Sequence, residues 1–314
     1  MIINPVYRRE VISGFKSIKF AVAISVFNAF LAFVALAQMS AAAEGARMGS
    51  EAQYSSFLLI FRLIALLEFV MIYLITPAFT SGAISSEWEN KSMDLILSTK
   101  IGRLDLVGGK LLAAVSTIML LVLSGIPVFA MIPVYGGVLE RDIPMLILPY
   151  FSAAFFVGSV GIFFSALFKK STMATVLSYA VILVLSLLTF VPGAFIKEFI
   201  PGNIAVISPR TISANMESLV AASKGALLFP WFYVCNPINI FYITVNEVIG
   251  NRVAVAGILE IMGIAEGSFL YKNWFAVGIG FQFLAGIIFT LLSAWNITPK
   301  LNRILFIRKI GRKK

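Results

Sequence analysis

The chain has 314 residues, of which 60% are hydrophobic and only 13% charged, and its net charge is +10. An ordinary soluble domain is about 45–50% apolar and about 25% charged, so this chain has too little polar surface to cover a water-soluble globule. One cysteine, Cys235, and no histidine exclude a disulfide framework, a thiolate zinc site and His-based catalysis within the chain, so no catalytic or metal-ligating set is expected.

Residues 1–19 form a basic lead with Arg8, Arg9, Lys16 and Lys19. The first apolar run follows from about Phe20 to Gln38, close to the roughly 20 residues that cross a bilayer. With the "AQMSAAAEGA" that comes after it, this start imitates a signal peptide. The apolar run is too long for that, because a signal h-region is about 7–15 residues, and a retained helix is expected. Further spans are expected at about Phe57–Ser81, Leu106–Val134, Met145–Phe168, Met173–Ile196 and Trp274–Ile297. The result is an all-α integral membrane protein with a six-span domain over 20–297 and a basic tail over 298–314.

Charge placement orients the spans. The lead, the segment with Lys91, Lys100, Arg103 and Lys110, the pair Lys169 and Lys170, and the tail "KLNRILFIRKIGRKK" are all basic. By the positive-inside rule these segments face the cytoplasm, and an even span number keeps both termini there. The same placement beside membrane boundaries assigns the positive charge to lipid headgroups and topology, not to nucleic acid.

Between spans five and six, 197–273 is expected to be mainly extracytoplasmic. Its apolar centre, 225–245, holds Pro230, Asn236 and Pro237, which would break a spanning helix. We expect a re-entrant or interfacial segment there, with Gly225 and Asn236 as helix ends. Glu247, Arg252, Glu260 and Glu266 fall in an expected outer cap. A pair of extra spans including 251–270 would keep the parity but would have to bury Glu260 and Glu266.

Two charges lie inside a span. At 1.5 Å per residue, Arg62 is roughly 8 Å below the outer end of span two and can snorkel outward, whereas Glu68, roughly 17 Å down, is near the midplane. A midplane carboxylate is a functional candidate; the alternative is a neutral or interface-paired group that serves assembly only. The pairs Gly158/Gly161 and Gly278/Gly280 are expected at close helix contacts.

The stretch "SGAISSEWENKSMDLILSTK", residues 81–100, gathers charges between two apolar runs. On a helical wheel Glu87, Asn90, Lys91, Asp94 and Ser98 share one arc, and Trp88, Ser92, Leu95, Ile96 and Thr99 another. An amphipathic helix over about 85–100 is expected, lying in the headgroup layer or docking a cytoplasmic partner.

The wider string "PAFTSGAISSEWENKSMDLILSTKIGRLDLVGGKLL", Pro77 to Leu112, resembles the signature stretch of ABC transporter permeases of the type-2 exporter family. The resemblance rests on Glu87, Glu89, Asp94, Leu95, Leu97, Ser98, Thr99, Gly109, Lys110 and Leu111. "NPVYRREVISGF" is similar to the family's N-terminal amphipathic helix, with Asn4, Pro5, Arg8, Arg9 and Glu10 in place. Trp88 stands where a basic residue is usual, and Lys100 where a proline often follows.

The resemblance implies six spans, a homodimer or heterodimer with a second permease subunit, and docking of two ABC-type ATPase subunits from the cytoplasm. It implies a coupling helix at 85–100 with Glu87, Trp88, Glu89, Asp94, Leu95, Ser98 and Thr99 as its contact residues, and an interface helix carrying Arg8, Arg9 and Glu10. ATP and Mg are then bound by the partner, with no cofactor in this chain. The nearest thing to a P-loop, "GRLDLVGGKL", has Leu104 where the first Gly belongs and Leu111 in place of Ser or Thr. The expected location is the plasma (inner) membrane. An integral membrane enzyme or a secondary carrier is the competing class, but no acid–base cluster and no repeat of broken helices in two halves supports either.

Overall fold

Asn4 and Pro5 set the first helix. The Asn4 Oδ1 accepts from the Val6 and Tyr7 amides at 2.9 and 3.5 Å, and Pro5 occupies the first turn, where its missing N–H needs no partner. Helix α1 (Pro5–Phe15) leads through a short bend to α2 (Ile18–Arg47). There follow α3 (Tyr54–Thr80), α4 (Ser85–Glu89), α5 (Met93–Ser98), α6 (Arg103–Val134), α7 (Ile143–Leu167), α8 (Ser171–Phe199), α9 (Pro237–Val248), α10 (Arg252–Ile261) and α11 (Phe269–Asn296). The computed structural model describes residues 4–47, 54–99, 101–134, 143–199, 236–261, 264 and 267–297. The basic tail, Cys235, Glu266 and 200–235 lie outside them.

Helices α2, α3, α6, α7 and α11 are long and apolar enough to cross a membrane. Helix α8 runs 29 residues, and its part from Ser171 to Leu187 is apolar. No strand occurs among the described residues. Helix α7 lies at the centre, against α11, α3, α6, α8 and α9. Small residues on α7 allow this: Ser152, Ala153, Ala154, Ser159 and Ser165 are buried. A Cβ added to Gly158 would lie 3.1 Å from Leu111 Cδ1, and one added to Gly161 would collide with Thr80. The close contact at Gly161 therefore requires glycine, and Gly158 is tightly packed against side chains of α3 and α6, both as expected. Gly280 differs, since a Cβ there would meet nothing within 4 Å.

Apolar side chains also point outward in stripes at helical spacing, as with Val22, Val26, Phe30 and Phe33 on α2. Water would make such faces costly, whereas lipid or a second subunit covers them without penalty.

Helix α9 is inserted between the longer helices. Asn236 caps it by accepting from the Ile238 amide at 3.0 Å, Pro237 fills the first turn, and the Asn236 side chain donates to the Leu185 carbonyl of α8 at 2.8 Å. Phe241 stacks on Phe69 at 4.2 Å between ring centroids and meets Tyr150 at 4.7 Å. Ile240 and Ile243, on another face, join a second cluster with Val255, Leu259 and Trp274. A helix apolar on both faces belongs inside protein, so a lipid-facing hairpin does not describe it. Helix α9 ends at Gly250, whose φ of 72° and the Gly250→Glu247 and Asn251→Asn246 amide bonds, both 2.9 Å, form a Schellman turn.

Candidate functional site

The stretch expected as one amphipathic helix over 85–100 is instead two short helices set in an elbow. Helix α4 stops at Glu89; Lys91 adopts a left-handed φ of 55°; α5 begins at Met93. A left-handed residue ends helical hydrogen bonding, and Asn90 and Ser92 beside it are residues that favour turns. The two arcs of the wheel are therefore not continuous faces. Met93, 1% exposed, plugs the elbow into the core, while Asp94, Leu95, Ser98 and Thr99 are exposed.

Small polar residues fasten the elbow to the bundle. The Ile84 and Ser85 amides both donate to Ser165 Oγ on α7, at 2.8 and 2.9 Å. Ser81 and Thr175 hydroxyls meet at 2.8 Å. The exit from α3 thereby gains partners for main-chain groups that a helix end leaves without any.

Glu87 and Glu89 are engaged within the chain. Lys110 Nζ lies 3.1 Å from Glu87 Oε1 and 3.1 Å from Glu10 Oε1, and Lys110 is only 8% exposed. Ser92 Oγ also donates to Glu87. Partial burial pulls the Glu87 carboxyl upward, but the Ser92 hydroxyl, the Lys110 ammonium and, further away, Arg9 outweigh it and hold it below the usual carboxylate range. Glu89 accepts from the Ser171 amide at 2.9 Å and from its hydroxyl at 2.7 Å, capping the start of α8. These two bonds hold its carboxyl below the usual range, and the helix dipole favours an anion there. Trp88 is half-buried under Lys169, whose Nζ is 5.2 Å from the ring centroid.

Helix α1 docks beside the elbow. Asn4 Nδ2 donates to the Asp105 carbonyl at 2.7 Å, and the Tyr7 and Ser116 hydroxyls meet at 3.1 Å. A Cβ on Gly109 would be 3.0 Å from Val6 Cβ and 3.1 Å from the Tyr7 amide nitrogen, so the α1 backbone reaches α6 only across a glycine. In the string Gly-Lys-Leu, Gly109 admits α1, Lys110 joins Glu10 to Glu87, and Leu111 is buried against α7. Arg8 and Arg9 are exposed beside them.

A family model described as ABC-2 family transporter protein matches residues 5–279. The chain belongs to that family. No curated protein matches the chain. Members of the ABC-2 permease family are transmembrane subunits and not themselves catalytic, and this chain is accordingly a multi-pass membrane protein.

The two intramembrane charges of this ABC-2 protein are not brought together. Glu68 lies about 21 Å along α3, a helix of about 40 Å, and is 1% exposed. Both its carboxylate oxygens are without a hydrogen-bond partner. It faces Val122, Ile126, Phe129, Leu146 and Tyr150, and the Tyr150 hydroxyl donates instead to the Ala65 carbonyl at 3.1 Å. Helices of the same chain enclose Glu68, so pairing at a subunit interface, one alternative for it, does not describe it. Arg62 is half-buried and forms no ion pair with Glu68.

In the sequence Lys110 is an orienting cation and a motif match, and its link to Glu10 and Glu87 comes only with the fold, as do the roles of Ser165 and Ser171. Lys110 was detectable, as a lone cation opening an apolar run. The two serines carry no distinguishing pattern.

Proposed function

We propose that this protein is the permease subunit of an ATP-driven ABC exporter, working by alternating access with a separate ATPase subunit that docks on the α4–α5 elbow. The observation that carries the reading is the division of labour at the elbow. Asp94, Leu95, Ser98 and Thr99 face outward, while Glu87, Ser85 and Glu89 fix the same segment to α6, α7 and α8 and Met93 is buried. A push on the outer face of so anchored an element reaches three long helices at once. Family membership supports an ABC ATPase partner in general.

In this reading six helices span the membrane, with α8 as the fifth, and both termini are cytoplasmic in the plasma (inner) membrane. Residues 1–19 form the interface segment, 85–100 the coupling segment, 298–314 the tail, and 197–273 is mainly extracytoplasmic. Helix α9 is the described part of the re-entrant segment; its contact with Phe69, next to Glu68 in mid-span, supports that depth. The outward apolar stripes suit lipid and a second permease subunit, identical or not. ATP and Mg belong to the ATPase, and Glu68 remains the candidate for contact with the translocation path.

The test is co-purification and reconstitution with a P-loop ATPase of the same cell. Asp94→Lys with Leu95→Asp is expected to lower permease-stimulated ATP hydrolysis about tenfold, the loss of roughly 1.4 kcal/mol of docking free energy. Undiminished stimulation, or failure of any such ATPase to co-purify, overturns the assignment.

A further inference from the structure

The ion triad is unbalanced. Glu10 and Glu87 bring two carboxylates to one ammonium, that of Lys110, leaving one negative charge that the triad itself does not cancel. A cavity of about 500 Å³ opens beside it, bounded by α1, α2, α3, α4 and α6. Its charged end is formed by Arg9, Glu10, Glu87 and Lys110. Arg9 is exposed, forms no salt bridge among the described residues and acts on Glu87 only from further away, so a positive charge stands at the rim of the cavity and the two carboxylates at its wall. Beyond them Phe20 and Ala23 of α2, Phe79 of α3, and Ala113 and Ala114 of α6 form an apolar wall, interrupted by the hydroxyls of Ser17, Ser86 and Thr117. From Lys110 to Thr117, also in the lining, α6 advances about 10 Å into the span.

A ligand that suits this cavity has to present both signs of charge at one end and an apolar body at the other. An anionic headgroup would place its phosphate near two carboxylates, and a simple cation would leave Arg9 without a counterion. A zwitterion satisfies both. We propose that the cavity holds an ammonium-bearing phospholipid of the adjacent leaflet, its phosphate at Arg9, its ammonium at Glu10 and Glu87, and the start of its acyl chain along Phe20, Ala23 and Ala114. The volume falls within the roughly 300–1,000 Å³ of small-molecule sites. Glu87 is fully ionised at neutral pH, since its carboxyl is held below the usual range, and so offers the charge required. Exposed Ile12, Phe15 and Ile18 on the neighbouring turns place this mouth at an apolar surface, where lipid is the solvent. The site is independent of ATPase docking and needs only that the chain lies in a membrane.

The experiment measures the melting temperature of the purified full chain in detergent with added short-chain phosphatidylethanolamine, phosphatidylglycerol or free phosphoethanolamine. Binding to the folded form alone raises stability, and a rise of about 5 °C is expected with phosphatidylethanolamine and under 1 °C with the other two. Arg9→Gln, on an exposed side chain outside the core, is expected to halve the rise, and Ala114→Phe, which fills the apolar end, to remove it. An equal rise with phosphatidylglycerol overturns the zwitterion. An equal rise with phosphoethanolamine overturns the lipid in favour of a soluble ligand. A phosphatidylethanolamine effect unchanged in both variants overturns the site.

Discussion

Lys110 Nζ stands 3.1 Å from Glu87 Oε1, joining the first turns of α6 to the end of α4 across 23 residues of sequence. The same ammonium holds Glu10, so three segments of the chain meet at one nitrogen. Replacing Lys110 by Met leaves two carboxylates facing each other without their cation. We expect Lys110→Met to destabilise the protein by about 2–3 kcal/mol, and Glu87→Gln by about 1 kcal/mol. In a double-mutant cycle by denaturation in detergent, a coupling energy of at least about 1 kcal/mol is expected; additivity within about 0.3 kcal/mol would show that the pair does not interact.

Acid tests the same contact through its sign. A carboxylate whose value in the folded protein lies below its ordinary 4.5 contributes stability above that pH and loses it as the pH falls through the folded value. Wild-type melting temperature is therefore expected to drop as the pH falls below about 4.5, and Glu87→Gln to show a shallower drop there. Identical pH profiles would remove Glu87 from the acid response.

Gly109 gives a steric prediction. A side chain there collides with Val6 and the Tyr7 main chain, so Gly109→Leu should undock α1 while α6 remains a helix. With Cys235→Ala as background, Val6→Cys, at a buried position, should react slowly with a thiol reagent and at least about tenfold faster once Gly109→Leu is added, because local opening governs access. Equal rates would mean that α1 stays docked.

The two acidic groups of the elbow are separable from its outer face. Glu89→Lys removes the cap of α8 and is expected to lower the melting temperature and to impair coupling. Asp94→Lys, on an exposed side chain, is expected to impair coupling without changing the melting temperature. Equal thermal effects from the two substitutions would contradict this division.

Phe241 tests whether α9 belongs to the core. It is fully buried and stacked on Phe69 and Tyr150, so Phe241→Ala should cost about 3–5 kcal/mol, as in other aromatic cores. Loss below about 1 kcal/mol by denaturation would place α9 outside the folded unit.

The long helices were legible because bilayer thickness sets a minimum apolar run, and α2, α3, α6, α7 and α11 each exceed it. Asn236 and Pro237 were legible as a helix end and a break, and the structure makes them the capped start of α9. The elbow was not. Its amphipathic wheel is compatible with one helix, and only the left-handed Lys91, held by tertiary packing of Met93, breaks it. Nor did the sequence reveal that Glu87 and Glu89 find partners in the same chain. Lys110 is 23 residues from Glu87, and Ser171 is 82 from Glu89, distances over which no spacing rule operates.

The docking of α1 on α6 constrains the order of assembly at the ribosome. Asn4 bonds to Asp105 and Tyr7 to Ser116, partners 101 and 109 residues later in translation. At about 5–20 residues per second, α1 waits roughly 5–20 s before its binding surface exists. Its apolar face, with Ile12 and Phe15, can rest on the bilayer in that interval, so membrane affinity in this segment protects a nascent chain before it serves the finished transporter.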